Sequence, residues 1–525
     1  MREFLNKQKY LLIIIILNAL LFSTCILPVI INTRMIPTDT YRDIAYARSV
    51  MNGNPFWEDP AIKGENIWYP PLNPLLFALL SIITSIDLYN LYAFSPLFIS
   101  FFIPIVFYFF LVRLFDKKTA FLSILLIPIM PWVITHIYTR PIPSWHTFVI
   151  ILPILTYFIK SQQKGFTCKS ALILGIAMGL SFNHHSLSTM LIYGAIFLFM
   201  FIHHFILKKK YRWQHWLIVL GIPILLWSPY LLLNLFRPRL NPEPLRFFAD
   251  EILDPQFALF FPNQYLFVVT IVIFIAGFLF SLRKLQSDTN ILLLYCIIVI
   301  TIGGQLLGYL HKLSETVPAV FGIFKNVPYL IPHEFQWFFQ FFTIPLVAYG
   351  FIRLFEIYCL TARKQIIGIA LLVLFLLQPY FMIGKNSTKM FDHMAWNRDV
   401  EPVMTRWISR NTPVDAVILT TDTRWSFFFI QPYTGRKVVA QFNGHTNYNV
   451  DNHKRIADME EMTRRADINT FRRLAAEYQV DYTFILQSDI PPERFQFFQD
   501  NFPVVFNDPN FPFGMATLFK INDKL

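Results

Sequence analysis

The sequence predicts a polytopic α-helical membrane protein, with about eleven transmembrane helices and a C-terminal extracytoplasmic α/β domain. Of the 525 residues, 55% are hydrophobic and 57 are phenylalanine, a composition that few soluble proteins share. Long apolar runs with few charges repeat up to about residue 384, and beyond it charged residues alternate with short apolar runs. We therefore predict a transmembrane domain over residues 1–384 and an extracytoplasmic domain over 385–525.

The positive charge predicts the orientation of the chain. The net charge is +12, and the basic residues cluster at the ends of the apolar runs. This is the positive-inside pattern of a membrane protein, so it argues against a nucleic-acid partner. Arg2, Lys7 and Lys9 precede the first apolar run, which places the N-terminus in the cytoplasm. The expected location is the plasma membrane, the inner membrane in a bacterium.

The same charge rule decides the number of spans. Residues 71–85 are apolar, but the segment is short, starts with prolines and has no basic residue at its far end. A full span there would invert the side of every later basic cluster, so we predict a helix lying at the outer interface, within an outer loop over 33–88. The predicted spans are 10–32, 89–113, 119–135, 146–160, 170–183, 187–206, 214–236, 263–282, 290–310, 336–354 and 365–383.

The C-terminal region carries the pattern of a small α/β domain. Residues 416–419 and 482–486 are apolar runs of strand length, and 455–465 and 470–478 have helical patterns. The four cysteines of the chain are scattered without metal-ligand spacing, which predicts neither a zinc site nor a disulfide framework.

The first outer loop carries the strongest candidates for chemistry. Asp39 and Asp43 stand four residues apart, beside Tyr41 and Arg42, just outside the first span. Charge next to a hydrocarbon layer is costly unless it is solvated or used. We predict that both acids are catalytic and that Tyr41 and Arg42 bind substrate. Two other interpretations stay open: a solvated loop, and an acid that only caps a helix beginning near Tyr41.

Further candidates lie at the outer ends of later spans. The guanidinium of Arg140 fits phosphate oxygens, although such a residue also snorkels at interfaces. His184 and His185 point about 100° apart on a helix, so they rarely bind one metal, but one of them can donate to a phosphate. His333 and Glu334 stand at the mouth of the tenth span. We predict that these residues bind substrate, and that Arg140, His184 and His333 line one cavity facing a phosphate.

His146, after Ser144 and Trp145, is a candidate base or metal ligand, or an ordinary interfacial histidine. The sequence contains no P-loop, Rossmann glycine pattern, HExxH or Ser-His-Asp signature, which argues against nucleotide use.

Several motifs of the chain match one family. They are Asp39-x-Tyr41, Gly53, Trp57, Tyr69-Pro70-Pro71, Ser95-Pro96-Leu97-Phe98, Pro131, Trp407-Ile408-x-x-Asn411-Thr412-Pro413 and Gly435-Arg436-Lys437-Val438-Val439-Ala440. With these motifs the chain resembles the GT-C superfamily of multispanning glycosyltransferases, most closely the branch of oligosaccharyltransferase catalytic subunits.

The resemblance implies transfer of a sugar from a polyprenyl-phosphate or -diphosphate lipid on the extracytoplasmic face, with Asp39 as the catalytic acid of the first outer loop. In the oligosaccharyltransferase branch, acids of the second outer loop help to bind a divalent metal. The matching residues 144–147 contain no carboxylate, so His146 is the only nearby substitute ligand for a divalent cation, Mg²⁺ or Mn²⁺. The branch reads its sequon with Trp-Trp-Asp-Tyr-Gly, of which residues 420–424 keep only Asp422. The acceptor is therefore unknown and not expected to be an asparagine sequon.

The expected chemistry agrees with the charges of the outer loops. Transfer from a lipid phosphate needs a base for the acceptor, here Asp39, and cations near the leaving phosphate. The expected partners are a polyprenyl-phosphate-linked sugar donor, membrane lipid and an acceptor. One alternative is a transporter or flippase of a glycolipid. The scarcity of charge at mid-span positions argues against it, because transporters usually bind their substrates near the middle of the membrane. The other is a non-catalytic assembly subunit, which the altered second loop keeps open.

Overall fold

The computed structural model of the chain describes residues 2–21, 38–127, 143–209, 211–235, 264–317, 332–359, 402–442 and 445–521, together with residues 23, 27, 237, 240, 361, 364–366 and 368. In chain order, the helices up to residue 358 are α1 (Arg2–Leu21), α2 (Thr38–Met51), α3 (Leu72–Thr84), α4 (Leu88–Leu111), α5 (Lys117–Leu126), α6 (Pro143–Lys164), α7 (Cys168–His184), α8 (Ser186–Phe201), α9 (Trp213–Leu235), α10 (Gln264–Ser287), α11 (Ile291–Thr316) and α12 (Pro332–Tyr358).

The C-terminal region contains shorter helices and a sheet. They are α13 (Val403–Asn411), β1 (Val417–Thr420), α14 (Thr423–Trp425), α15 (Gln431–Thr434), β2 (Lys437–Val438), α16 (Asn452–Arg464), α17 (Ile468–Glu477), β3 (Val480–Leu486), α18 (Pro492–Asn501), β4 (Val504–Asp508) and β5 (Ala516–Lys520). The strands and helices predicted in this region are confirmed, with bounds shifted by a few residues. The C-terminal region is thus an α/β domain.

Several helices are long and apolar enough to cross a membrane, so the chain is a multi-pass membrane protein. Among the described residues they are six segments: Leu88–Leu111, Ser186–Ile206, Trp213–Asn234, Val269–Gln286, Ile291–Gly308 and Trp337–Tyr358. The predicted count of eleven spans is not confirmed, and the predicted last span, 365–383, lies almost wholly outside the described residues.

The chain divides into two compact units. The first comprises residues 1–35, 93–227 and 248–395, and the second comprises 36–92, 228–247 and 396–525. The first outer loop thus belongs to the same compact unit as the C-terminal segment. The boundary predicted at residue 384 lies outside the described residues.

Aromatic rings fill the core of the first unit. Phe148 stacks on Phe338, their centroids 4.7 Å apart, and it contacts Phe341 at the same distance. Helices α10 and α12 approach backbone to backbone, because Gly277 faces Gly350 and neither carries a side chain to hold the helices apart. Such close packing of helices needs small residues where van der Waals contact replaces the hydrophobic effect.

The sheet of the second unit has the strand order β2-β1-β3-β5-β4. Strands β2, β1 and β3 are parallel, whereas β5 is antiparallel to both β3 and β4. Helices cover the sheet through a hydrophobic core that includes Leu419, Phe471, Ile485, Phe498 and Phe519, all fully buried. Nearly every residue of the parallel strands is buried, as is usual for parallel sheets, whose two faces are both covered.

The outer loop is attached to the edge strand of this sheet. The backbone N–H of Val438 in β2 donates to the carbonyl of Ala61 at 2.7 Å, which pairs an edge that would otherwise be open. The side chain of Asn52, just after α2, donates to the carbonyl of Thr434 at 2.8 Å. These bonds hold α2 against the α/β domain.

Helix α3 matches the short apolar helix that the sequence predicts over 71–85. It has 13 residues and ends at Ser85 in the left-handed conformation. One face is buried and includes Asn73 and Phe77, whereas Leu79 and Ile83 on the other are more than half exposed. An uncharged face of this kind suits a lipid surface, so its position at the outer interface stays a prediction.

Gly435 should tolerate no side chain. Its φ is +67°, and an added Cβ would stand 2.7 Å from Nδ2 of Asn52 and 3.2 Å from the backbone of α2. We expect Gly435→Ala to lower the thermal unfolding temperature through both strain and collision. Gly64→Ala is the control, because Gly64 has φ +75° but nothing within 4 Å of its Cβ position. Its loss of stability should therefore contain only the backbone strain of about 1–2 kcal/mol. Equal losses in the two variants would contradict the close approach of α2.

Candidate acid site on the first outer loop

Three charged residues of the outer loop meet on one face of helix α2. Asp39 lies in its first turn, and Arg42 and Asp43 follow three and four positions later, a spacing that puts side chains side by side on a helix. Arg42 lies between the two acids: Nε and Nη2 donate to Oδ1 of Asp43, both at 3.2 Å, and Nη1 is 3.4 Å from Oδ1 of Asp39. The two acids predicted to be catalytic therefore share one guanidinium.

Asp43 is the buried member of this group. It is fully shielded from solvent, and its second oxygen accepts a hydrogen bond from Nδ2 of Asn73 in α3 at 2.8 Å. Burial raises the pKa of Asp43 to about 6, while Arg42 acts in the opposite direction. A carboxylate held on both oxygens inside the protein is suited to positioning Arg42 more than to meeting a substrate.

Arg42 is itself held in place by aromatic rings. Its guanidinium carbon stands 3.5 Å from the ring centroid of Tyr69 and 5.8 Å from that of Trp68. A guanidinium stacked on an aromatic face gains cation–π attraction. The Trp68-Tyr69 pair, which directly precedes α3, thus fixes the cation between the acids.

Asp39 is the accessible acid. Its side chain is 42% exposed, and its Oδ1 lies 3.4 Å from Nδ1 of His445 as well as from Arg42. Both contacts are longer than an ideal charged hydrogen bond, and the exposed part of the carboxylate lies within reach of a substrate. Asp39 thus combines exposure with fixed neighbours.

His445 is a residue that sequence reasoning missed. It is buried and stacks on Phe427, with centroids 5.0 Å apart and planes 17° from parallel. Its Nδ1 has no hydrogen-bond partner within the part of the chain that the structure describes. Burial lowers the pKa of His445 to about 4, against the opposite effect of Asp39, so the ring beside Asp39 is neutral at pH 7.

The lowered pKa of His445 predicts a loss of stability in acid. The unfolded chain takes up a proton near pH 6.5 and the folded protein only near pH 4, so stability falls as pH drops between these values, by about 1.4 kcal/mol per unit. We expect the thermal unfolding temperature of wild type to fall more between pH 7 and pH 5 than that of His445→Gln. Asp43 has a raised pKa and acts in the opposite sense, equally in both proteins. Parallel changes in the two proteins would rule out the buried neutral imidazole.

The ring of Tyr41 packs among aromatic side chains. Its ring is buried and meets Phe428 edge-on at 4.9 Å, with Tyr89 at 6.3 Å. Through these aromatic contacts Tyr41 helps to hold α2 in place. Its predicted substrate contact stays a prediction.

A second buried network of hydrogen bonds joins the outer loop to Lys437 and Asn447. Asp59 is fully buried, and its Oδ1 accepts from the backbone N–H groups of Ala61 and Ile62 at 2.7 and 3.0 Å. Its Oδ2 accepts from Nδ2 of Asn447 at 2.8 Å, and the fully buried Lys437 donates to its backbone carbonyl at 2.5 Å. Sequence reasoning gave no role to these residues, since each resembles an ordinary polar loop residue.

The predicted histidines lie in the first unit. Nε2 of His146 is 3.3 Å from Oγ of Ser95, and Nδ1 of His184 is 2.8 Å from Oγ1 of Thr147. The two rings are 6.4 Å apart, so these two histidines form a buried pair. His185 caps α8, where its side chain accepts from the backbone N–H of Ser188.

The other predicted positions are less informative. Arg140 lies outside the described residues, as do the side chains of His333 and Glu334 at the start of α12. The predicted cavity of Arg140, His184 and His333 therefore stays a prediction. Asp422, in the altered acceptor motif, caps α14 through the N–H of Arg424 and pairs with the Arg424 side chain.

No three His, Cys, Asp or Glu side chains within the described residues are placed to hold one metal ion. The exposed carboxylate, its fixed guanidinium and its neutral imidazole can instead accept a proton and stabilise nearby negative charge.

Comparison with solved structures confirms the GT-C-like fold that the sequence predicts. No protein-family model matches the sequence. No curated protein matches it at a significant level.

Solved structures share this fold. The chain is similar to the apo oligosaccharyltransferase of Archaeoglobus fulgidus, with 14% identity and a TM-score of 0.57 over 90% of this chain and 69% of that one. The complex of that enzyme with zinc and sulfate also matches, with 14% identity and a TM-score of 0.52 over 90% and 67% of the two chains.

Two bacterial structures match as well. ArnT from Cupriavidus metallidurans, bound to undecaprenyl phosphate, has 10% identity and a TM-score of 0.50 over 98% of both chains. The arabinofuranosyltransferase AftD from Mycobacteria has 12% identity and a TM-score of 0.57 over 98% of this chain and 40% of that one. All these proteins are GT-C glycosyltransferases, and at such identities the similarity establishes the fold.

Proposed function

We propose that the protein is an integral-membrane glycosyltransferase that moves a sugar from a polyprenyl-phosphate or -diphosphate lipid to an acceptor. The fold supports this proposal, since the similar solved proteins are glycosyltransferases and one of them binds undecaprenyl phosphate. The observation that carries it is the half-exposed Asp39, fixed beside Arg42 and the neutral His445.

Asp39 acts as the general base in the proposed reaction. It takes the proton from a hydroxyl or amide of the acceptor, and the freed electron pair attacks the anomeric carbon of the donor sugar. The bond from that carbon to the phosphate oxygen breaks, and its electrons leave with the lipid phosphate. General-base help of this kind is typically worth about 10²- to 10⁴-fold in rate.

The neighbours of Asp39 have positioning roles. Arg42 lies beside the carboxylate of Asp39, Asp43 accepts from Arg42, and Asn73 donates to Asp43 in turn. His445 is neutral, so it does not compete with Arg42 for the charge of Asp39. Donor binding by Arg140, His184, His333 and Glu334 belongs to the same proposal, as does catalysis at the extracytoplasmic face of the plasma membrane with the N-terminus in the cytoplasm.

A divalent cation is not part of the proposed steps. The described residues near Asp39 supply one accessible carboxylate and one imidazole. The guanidinium of Arg42 lies between Asp39 and Asp43. They do not form a cation site by themselves. Nε2 of His146, the predicted ligand, lies 3.3 Å from Oγ of Ser95.

The test is direct release of lipid phosphate. Purified protein in detergent is incubated with a panel of polyprenyl-phosphate sugars labelled in the sugar, with and without a membrane extract that supplies acceptors. We expect label to leave the lipid with at least one donor in wild type and not in Asp39→Asn. Equal release from the two proteins, or none with any donor and extract, would contradict the proposal.

A further inference from the structure

A second polar cluster lies in the first unit, where α6 ends and α9 begins. Tyr211 is its centre: its hydroxyl donates to Oε1 of Gln162 at 2.7 Å and lies 3.5 Å from Nδ1 of His203. The backbone N–H of Tyr211 donates to Nδ1 of His204 at 3.0 Å, and the ring of His215 is 6.5 Å away. These five residues are called the Tyr211 cluster.

Three buried polar atoms of the cluster point to a ligand. Nε2 of Gln162, Nε2 of His203 and Nδ1 of His215 have no hydrogen-bond partner within the described ranges. The two histidines are only 5% and 6% exposed. Buried polar side-chain atoms are nearly always paired, so three such atoms around one tyrosine favour a polar group that binds there.

The backbone beside the cluster is strained. Residues Ile202–Ile206 form a π-helical turn at the end of α8, a conformation that is rare and frequent at functional sites. Lys208 follows with φ +54°, the left-handed region that a lysine rarely adopts. The N–H of Lys209 donates to the carbonyl of His203 at 2.9 Å, which brings the lysines next to the cluster. This turn therefore places the backbone of Lys208 and Lys209 beside the cluster.

The surface around the lysines is apolar as well as basic. Phe205, Ile206 and Trp213 are 60%, 64% and 67% exposed. Lys208, Lys209 and Arg212 are exposed between them. Aromatic and aliphatic side chains interleaved with lysines are typical of a membrane–water interface that attracts anionic lipid.

We propose that the Tyr211 cluster and its basic rim bind the phosphate head group of an anionic phospholipid. The lysines neutralise the phosphate, and the amide of Gln162 and the imidazoles bind its oxygens and glycerol hydroxyls. The acyl chains lie along Phe205, Ile206 and Trp213. A metal ion would not use the site, since no group of three ligand side chains is formed among the described residues. The exposed Phe205, Ile206 and Trp213 favour a lipid over a soluble phosphate, because only a lipid has acyl chains to cover them.

Binding is measured on the purified protein in detergent, by native mass spectrometry and by thermal unfolding with added lipid. We expect phosphatidylglycerol to remain bound and to raise the unfolding temperature more than phosphatidylcholine does. Lys208→Gln/Lys209→Gln should weaken phosphatidylglycerol binding by about 10- to 30-fold, since each basic residue at a membrane surface contributes about 1 kcal/mol.

The matched control is Arg113→Gln/Lys118→Gln, which removes the same charge from exposed positions after α4. Its binding should stay within about twofold of wild type, a change that corresponds to under 1 kcal/mol. His215→Phe removes the unpaired Nδ1 from the cluster, and it should weaken phosphatidylglycerol binding while leaving sugar transfer unchanged. Equal binding of the two lipids, equal losses in the two double variants, or full stabilisation by inorganic phosphate alone would overturn the proposal.

Discussion

Asp39→Asn is expected to lower sugar transfer by about 10²- to 10⁴-fold, the typical value of a general base. Asparagine keeps the shape and an oxygen for Arg42, but it cannot take a proton. Because Asp39 is 42% exposed and its contacts are long, the thermal unfolding temperature should stay near that of wild type. The measurement is the initial rate of lipid-phosphate release with a saturating donor.

The comparison variant is Asp43→Asn. Asp43 is buried between Arg42 and Asn73, so its loss should lower stability and reduce transfer less than Asp39→Asn does. If Asp39→Asn keeps full transfer while Asp43→Asn loses it, the two roles are exchanged. Full transfer in both variants would leave the outer loop with a structural role alone.

Arg42→Met should be among the most destabilising single changes in the second unit. It leaves Asp43 buried without its cation, and breaking a buried pair in this way typically costs about 3–5 kcal/mol. The pKa of Asp43 is already raised to about 6 with Arg42 present, and without Arg42 it rises further. Protonating the buried acid costs less at pH 5 than at pH 8, because pH 5 lies nearer the pKa of a carboxyl group in the unfolded chain. The loss of thermal stability should therefore be larger at pH 8.

Two controls isolate this effect. Arg42→Met/Asp43→Asn removes the buried charge and should recover part of the stability at pH 8. Arg48→Met breaks a pair with the half-exposed Asp87 and should cost about 1 kcal/mol or less. A loss that does not depend on pH, or a double variant as unstable as Arg42→Met, would contradict the buried pair.

Local patterns were sufficient for much of the fold. Long apolar runs identify membrane helices because no other structure satisfies the backbone in lipid. The bounds of α3, β1 and β3 followed from short apolar runs beside prolines and charges. The acid pair could also be located from the sequence, since residues four apart on a helix share a face. All of these signals lie within a few residues of one another.

The rest of the site depends on contacts between distant parts of the chain. The bond from Asn447 to Asp59 joins residues 388 positions apart, and that from Lys437 to Asp59 joins residues 378 apart. Nothing in the local pattern marks such partners, because a polar residue near a strand end looks the same whether it is solvated or buried. His445 was missed for this reason.

The sequence by itself determined that this is a membrane protein with an α/β domain and that two acids begin the first outer helix. Composition and spacing could not distinguish those acids, which have the same chemistry and lie one helical turn apart, and only the resemblance to the GT-C superfamily favoured Asp39. Only the tertiary structure decided that Asn73 and Arg42 enclose Asp43, while Asp39 stays open beside His445. The physical reason is that burial is set by what packs against a side chain, and here that is supplied by α3, the Trp68-Tyr69 pair and a segment some 400 residues away.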